Sequence, residues 1–155
     1  MPDGVGLGFD VHPRDPDRPL WLGAVLFEGE PGAGGHSDGD VLCHAAADAF
    51  LGAAAMGDIG EHFPDTDPET EGISGATLLG RSIELLAGRG FVPVSLDVTV
   101  LCDRPSVAPR RDEIRTRLAE IVRVPIDRIS VKATRPEGLG LTGEGIGCLA
   151  LASVR

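Results

Sequence analysis

The stretch Val5-Gly6-Leu7-Gly8-Phe9-Asp10-Val11-His12 alternates between apolar side chains at odd positions and Gly, Gly, Asp and His at even ones. That period of two is the signature of a β-strand, and it puts Asp10 and His12 on the same face. A carboxylate and an imidazole therefore address one spot. Further on, Ser37-Asp38-Gly39-Asp40 offers a cap-like start to an alanine-rich helix expected over residues 38–56, so His44 projects from its first turns. Two imidazoles and one carboxylate are a common ligand set for a zinc ion that keeps its fourth position open. Any one of Asp10, His12 or His44 alone has an ordinary structural reading. Their placement at a strand end and a helix start is what packing does not require.

The same helix carries Asp40, His44 and Asp48 at spacings of four, a polar stripe, with Val41, Leu42, Ala45 and Ala49 as its apolar face. Residues 20–27 read as a short hairpin around Gly23-Ala24, and residues 28–35 as a Gly/Pro-rich loop delivering His36 and Ser37 beside the helix start. Residues 57–68 are dense in turn formers and acids and read as a long irregular loop. A second helix is expected over 74–89, stopped by Gly90, and a third over 109–122. Alternation predicts strands over 96–102 and 129–134, and an apolar run a last one over 146–154. The glycine-rich loop 134–145 follows a strand, so its amides are placed to cradle a phosphate, a weak signal by itself. The expectation is an α+β fold in which helices layer on a mixed four-stranded sheet with a small hairpin, one domain spanning residues 1–155.

The 155 residues, 42% of them apolar and 22 of them glycine, suit one modest core. A formal charge of −10 argues against nucleic acid or anionic membrane as partners, so a phosphate ligand needs metal ions or backbone amides. Cys43, Cys102 and Cys148 are odd in number and widely separated, which argues against a disulfide framework or a zinc knuckle and suits a reducing cytoplasm. Neither a leader-like N-terminus nor a long uninterrupted apolar stretch is present in this sequence.

Five separated motifs carry a resemblance. They are Gly8-Phe9-Asp10-Val11-His12, His36-Ser37-Asp38-Gly39-Asp40 with His44, Gly57-Asp58-Ile59-Gly60, Phe63-Pro64-Asp65-Thr66-Asp67-Pro68, and Val131-Lys132-Ala133-Thr134. In order and spacing the chain resembles the 2-C-methyl-D-erythritol 2,4-cyclodiphosphate synthase family of the non-mevalonate isoprenoid pathway. The resemblance implies a homotrimer with active sites between subunits. It implies conversion of 4-diphosphocytidyl-2-C-methyl-D-erythritol 2-phosphate to the cyclic diphosphate and CMP, catalysed by positioning and charge neutralisation.

By position, the resemblance makes Asp10, His12 and His44 the zinc ligands, His36 and Ser37 the pair on the reacting phosphates, and Asp58 and Gly60 holders of the erythritol part. The loop from Phe63 through Asp65 to Asp67 would close near it, and Glu137 would help hold a second ion, Mg2+ or Mn2+, on the diphosphate. Cys102 to Ala108 and Ala133-Thr134 fall where the family binds cytidine; His36, Thr134 and Arg135 are the implied catalytic positions. The chain departs from the family pattern on the nucleotide side. Arg135-Pro136 stands where a second threonine is usual, Leu141 where an aromatic is common, and Gly143-Glu144-Gly145 is shortened and lacks an arginine. Two alternatives belong to other classes: a metal-dependent phosphohydrolase, and a non-catalytic trimer binding isoprenoid diphosphates.

Overall fold

The computed structural model describes residues 3–140 and 144–155. Strand β1, Gly4–Asp15, is long and pairs antiparallel along most of its length with β7, Gly145–Val154. Next to β7 lies β5, Pro93–Leu101, antiparallel to it, and β6, Ile129–Thr134, runs parallel to β5. The parallel pair is bridged by helix α4, Arg111–Val122, as a parallel connection requires. The sheet is therefore mixed, as expected, but has five strands and not four. The extra one is β4, Gly32–Ala33, inside the stretch read as a loop. It forms because β1 continues beyond the alternating segment to Asp15 and offers Arg14 and Asp15 as partners for Ala33 and Gly32. The hairpin is β2, Leu20–Leu22, with β3, Val25–Phe27. Its turn residues Gly23 and Ala24 both have positive φ, the conformation of a tight two-residue hairpin turn.

Helix α1, Val41–Ala53, is shorter than the expected 38–56 because Asp40 caps it, accepting from the Cys43 amide at 3.0 Å. The Asp40 carboxylate also accepts from the amides of Gly23 and Ala24, at 2.9 and 2.8 Å, and so ties the hairpin to the helix start. The polar stripe is not solvated: Asp40 and His44 are buried, and Asp48 accepts from the Ile59 amide at 2.8 Å. The loop after α1 contains a short helix, α2, Ile59–His62, capped by Asp58. Helix α3, Gly75–Gly88, begins behind a Ser74 cap, within a residue of expectation. The third expected helix opens as a 3-10 turn, Ala108–Arg110, before α4.

What brings the strand and helix of the site together is a close approach of backbones. A Cβ on Gly4, Gly6 or Gly8 would stand 2.0, 2.0 or 1.9 Å from the carbonyl oxygen of Ala53, Ala49 or Ala45. Only glycine lets α1 lie this near β1. Small residues of β7 in register with these glycines, Ala150 and Ala152, continue the shallow bed. The helix-facing side of the sheet forms the core with Leu96, Val98 and Val100. The other face is bare: Val5, Leu7, Phe9 and Val11 are 68, 69, 44 and 42% exposed, and Leu151, opposite Leu7, is 47% exposed.

Candidate active site and metal centre

The even face of β1 carries Asp10 and His12 past the last close-packed glycine, where α1 presents His44 from its first turn. Asp10 Oδ2 lies 2.8 Å from His12 Nε2 and 3.2 Å from His44 Nδ1, and the two ring nitrogens are 3.4 Å apart. A tetrahedral ion with bonds of about 2.0–2.1 Å to N and O places its donors about 3.3 Å from one another. The triangle fits one face of that tetrahedron, so these residues suit a divalent metal with a position left open. The structure brings the three expected ligands together as a candidate site, and no other group of this kind occurs among the described residues.

Electrostatics agree with a cationic occupant. Burial pushes the Asp10 carboxyl up, but hydrogen bonds and positive charge from His12 and His44 outweigh it and hold the group below its usual range. Burial pushes His44 down, and the Asp10 hydrogen bond and charge more than reverse this, with Asp40 and Asp38 adding to it. His44 Nε2 meets Ser37 Oγ at 2.8 Å, which also accepts from the Gly39 amide at 3.2 Å. The three cysteines are free and buried, and burial raises each thiol, so none is a poised nucleophile.

A cavity of about 290 Å3 opens beside the triangle. It is lined by the ligand trio and by His36, Ser37, Gly60, Phe63 and Asp65 from the sequence-derived set. His36 and Asp65 are exposed and face each other 3.6 Å apart. Sequence reasoning missed Thr70, Glu71, Ile73 and Leu78, which complete the wall. They belong to a loop without motif character and to the first turns of α3, and no local signal marked them.

Other expected residues do not reach this cavity. The carboxylates of Asp58 and Asp67 accept from the amides of Glu61 and Glu69 at helix starts. Cys102, Ala133, Thr134, Arg135 and Glu137 lie in a separate region, where the Cys102 amide donates to Thr134 O at 3.2 Å and the Glu137 amide to Asp103 Oδ1 at 3.3 Å, and Ala108 opens the 3-10 turn before α4. Both regions sit at the same end of the sheet, since the register runs Asp10, Cys148, Val100, Ala133 across its strands. Three inter-strand steps separate them, about 14 Å. Leu141 and Gly143 lie outside the described residues. None of the described helices is long and apolar enough to cross a membrane.

Fold and site thus define a mixed-sheet α+β protein with a candidate three-residue site for a divalent metal at the wall of a cavity. The chain belongs to the YgbB family, whose pattern it matches over residues 4–155. It is 46% identical over 153 residues to the 2-C-methyl-D-erythritol 2,4-cyclodiphosphate synthase of Salinibacter ruber, covering 97% of this chain and 98% of that protein. It is 45% identical over 150 residues to the bifunctional enzyme IspD/IspF of Caulobacter vibrioides, covering 97% of this chain but 39% of that protein. The chain therefore spans about two fifths of such bifunctional relatives. A solved 2C-methyl-D-erythritol-2,4-cyclodiphosphate synthase in a CDP-bound form matches with TM-score 0.90 and 34% identity, covering 97% of this chain and 99% of that one. The bifunctional IspDF of Campylobacter jejuni matches with TM-score 0.92 and 36% identity, covering 99% of this chain and 42% of that one.

Proposed function

We propose that this chain converts 4-diphosphocytidyl-2-C-methyl-D-erythritol 2-phosphate to 2-C-methyl-D-erythritol 2,4-cyclodiphosphate and CMP, as a cytoplasmic homotrimer. The observation that carries the reading is the Asp10, His12, His44 triangle in the wall of the cavity that also holds His36 and Ser37. An oxygen of the substrate's 2-phosphate attacks the β-phosphorus, the bond from that phosphorus to the CMP oxygen breaks, and no water is consumed. Zinc at the triangle would supply Lewis-acid polarisation of a diphosphate oxygen. Glu137 would help hold a second ion, Mg2+ or Mn2+, which would neutralise charge on the diphosphate.

The chain's own groups supply orientation and donors. With the Nδ1 lone pair of His44 given to a metal at the triangle, its Nε2–H would donate to Ser37 Oγ, which also accepts from the Gly39 amide. Both acceptor sites of Ser37 are then filled, and its proton is left to donate to a phosphate oxygen in the cavity. His36, on the same wall, is the donor to charge developing on the phosphoryl oxygens. Apolar wall residues Ile59, Phe63, Ile73 and Leu78 suit the methylerythritol carbon frame and keep water from the reacting phosphorus.

The cavity of about 290 Å3 is at the small end of the roughly 300–1,000 Å3 of pockets that hold a drug-sized ligand, and none of the residues expected at the cytidine end lines it. The cytidine end then falls to the region of Cys102, Ala108, Ala133, Thr134 and Arg135; Leu141, also expected to bind substrate, lies outside the described residues. The separation of that region from the triangle within one chain supports a site completed by a neighbouring subunit. The bare row of Val5, Leu7, Phe9, Val11 and Leu151 supports the same assembly. Such a row is large for a monomer surface, and a neighbour's matching sheet would cover it.

Phosphorus NMR of the metal-loaded protein with this substrate tests the reading. Metal-dependent appearance of CMP and of two coupled cyclic-diphosphate signals is expected, with no oxygen from labelled water in the product. Labelled oxygen in the product would make the protein a hydrolase, and no CMP from a metal-loaded trimer would remove the assignment.

A further inference from the structure

His36 and Ser37 are the groups to which the proposed function assigns the phosphates, yet both sit on an irregular segment between β4 and α1. Something must hold that segment still. Arg18, half-buried in the turn between β1 and β2, donates from Nη1 to the Gly35 carbonyl at 2.8 Å and from Nη2 to the Ser37 carbonyl. The carbonyl between them, that of His36, accepts from the Gly72 amide at 3.3 Å. Three consecutive carbonyls are thereby held, two of them by one planar fork. In a trans peptide the N–H points opposite to the C=O, so holding the Gly35 carbonyl also aims the His36 amide.

Arg18 is itself anchored. Its amide donates to Asp15 O at 3.2 Å, and its carbonyl accepts from Gly32 at 2.9 Å. The segment it holds lies directly against the metal triangle: Gly35 has φ +143°, and a Cβ there would come within 3.0 Å of the His12 ring. Ser37 in turn meets His44. Displacement of the segment would therefore move the phosphate donors relative to the ligand trio.

We propose that Arg18 is a positioning residue that fixes His36 and Ser37 for phosphoryl transfer, an inference that rests on the function proposed above. A guanidinium presents rigidly spaced donors to two acceptors at once, which a lysine ammonium on a flexible stem does not reproduce. Arg18→Met retains most of the stem packing and removes the fork. In this variant kcat and kcat/KM for CMP release fall together, on the order of 10²-fold if the donors shift by about 1 Å. Zinc content and trimer mass stay at wild-type values. Arg18→Lys recovers only a small part of the rate, and guanidinium ion added at non-denaturing concentration restores Arg18→Ala where ammonium ion does not.

A second readout is independent of turnover. Amide hydrogen exchange of Gly39 and Gly72, whose amides donate to Ser37 Oγ and His36 O, accelerates in Arg18→Met while that of α1 is unchanged. Should the wild-type protein release no CMP, the functional reading fails, and the exchange data decide the clamp by themselves. Wild-type kcat in Arg18→Met, or unchanged exchange at Gly39 and Gly72, overturns the proposal. So does a loss of rate accompanied by equal loss of zinc and no guanidinium rescue. If Arg18→Met does not fold, Arg18→Lys and the rescue of Arg18→Ala decide the proposal by the same criteria.

Discussion

Gly8→Ala adds one methyl group where strand and helix touch, and the structure sets the size of the consequence. The new Cβ would stand 1.9 Å from the Ala45 carbonyl oxygen and 2.8 Å from the Ala49 amide nitrogen. Both neighbours are helix backbone, so no side-chain rotation relieves the clash; α1 must retreat by more than 1 Å to reach even a tight contact of 3.0 Å. Overpacking of a core commonly costs about 1–3 kcal/mol, and a backbone clash belongs at the upper end. With a urea slope of about 1–3 kcal/mol per molar, the midpoint drops by about 1 M or more. The retreat also carries His44, next to Ala45, away from Asp10. Their 3.2 Å separation grows past 4 Å, beyond the roughly 3.3 Å edge of a zinc tetrahedron. Urea unfolding at one fixed protein concentration, with zinc competition against a chelator dye, reads both effects. A variant with wild-type midpoint and wild-type zinc affinity would refute the claim that glycine sets the strand–helix distance.

Three further outcomes are expected. His44→Ala should abolish CMP release and lower zinc content while leaving a folded trimer; full retained zinc removes His44 from the ligand set. Leu7→Asp, at a position 69% exposed in the single chain, should cost trimer stability and shift the sedimentation profile to smaller species, because burying a leucine is worth about 1.5–3 kcal/mol and each interface would lose it. An unchanged trimer would place the interface elsewhere. Asp38→Asn keeps an acceptor for the amides of Gly75 and Asp40, at 3.0 and 3.1 Å, and removes a carboxyl that burial and then the Asp40 charge raise above 3.8. Below 3.8 both folded and unfolded chains hold that proton. As pH rises the unfolded chain releases it first, so the wild-type protein loses stability relative to Asp38→Asn until the folded carboxyl ionises. Parallel urea midpoints for the two proteins across that window would show that Asp38 carries no such penalty.

Much of the site was legible locally. Alternation in residues 5–12 placed Asp10 and His12 together, and the cap before the alanine-rich helix placed His44 in its first turns. Those patterns depend only on the geometry of one strand and one helix. The same alternation is silent about which face meets the helix, and a reading by hydrophobicity alone would bury Val5, Leu7 and Phe9. In the fold the glycine face goes inward, because only glycine permits that backbone approach. The acids of α1 show the same limit: Asp40, open to a reading as solvated, is buried among amides.

The sequence by its own local patterns marked the long strands, the three long helices, the candidate metal-ligand trio and, through five motifs in register, the family, but not the short β4 and α2. Periodicity, caps and motif spacing are local properties of the chain. It took the tertiary fold to show that β1 reaches far enough to pair with Gly32–Ala33, that Thr70, Glu71, Ile73 and Leu78 complete the cavity, and that Arg18 reaches the carbonyls of Gly35 and Ser37. Any arginine can bond any carbonyl, so no residue type announces such a contact. Which ones meet is set by how the β1–β2 turn, the loop before α1 and the loop before α3 pack together.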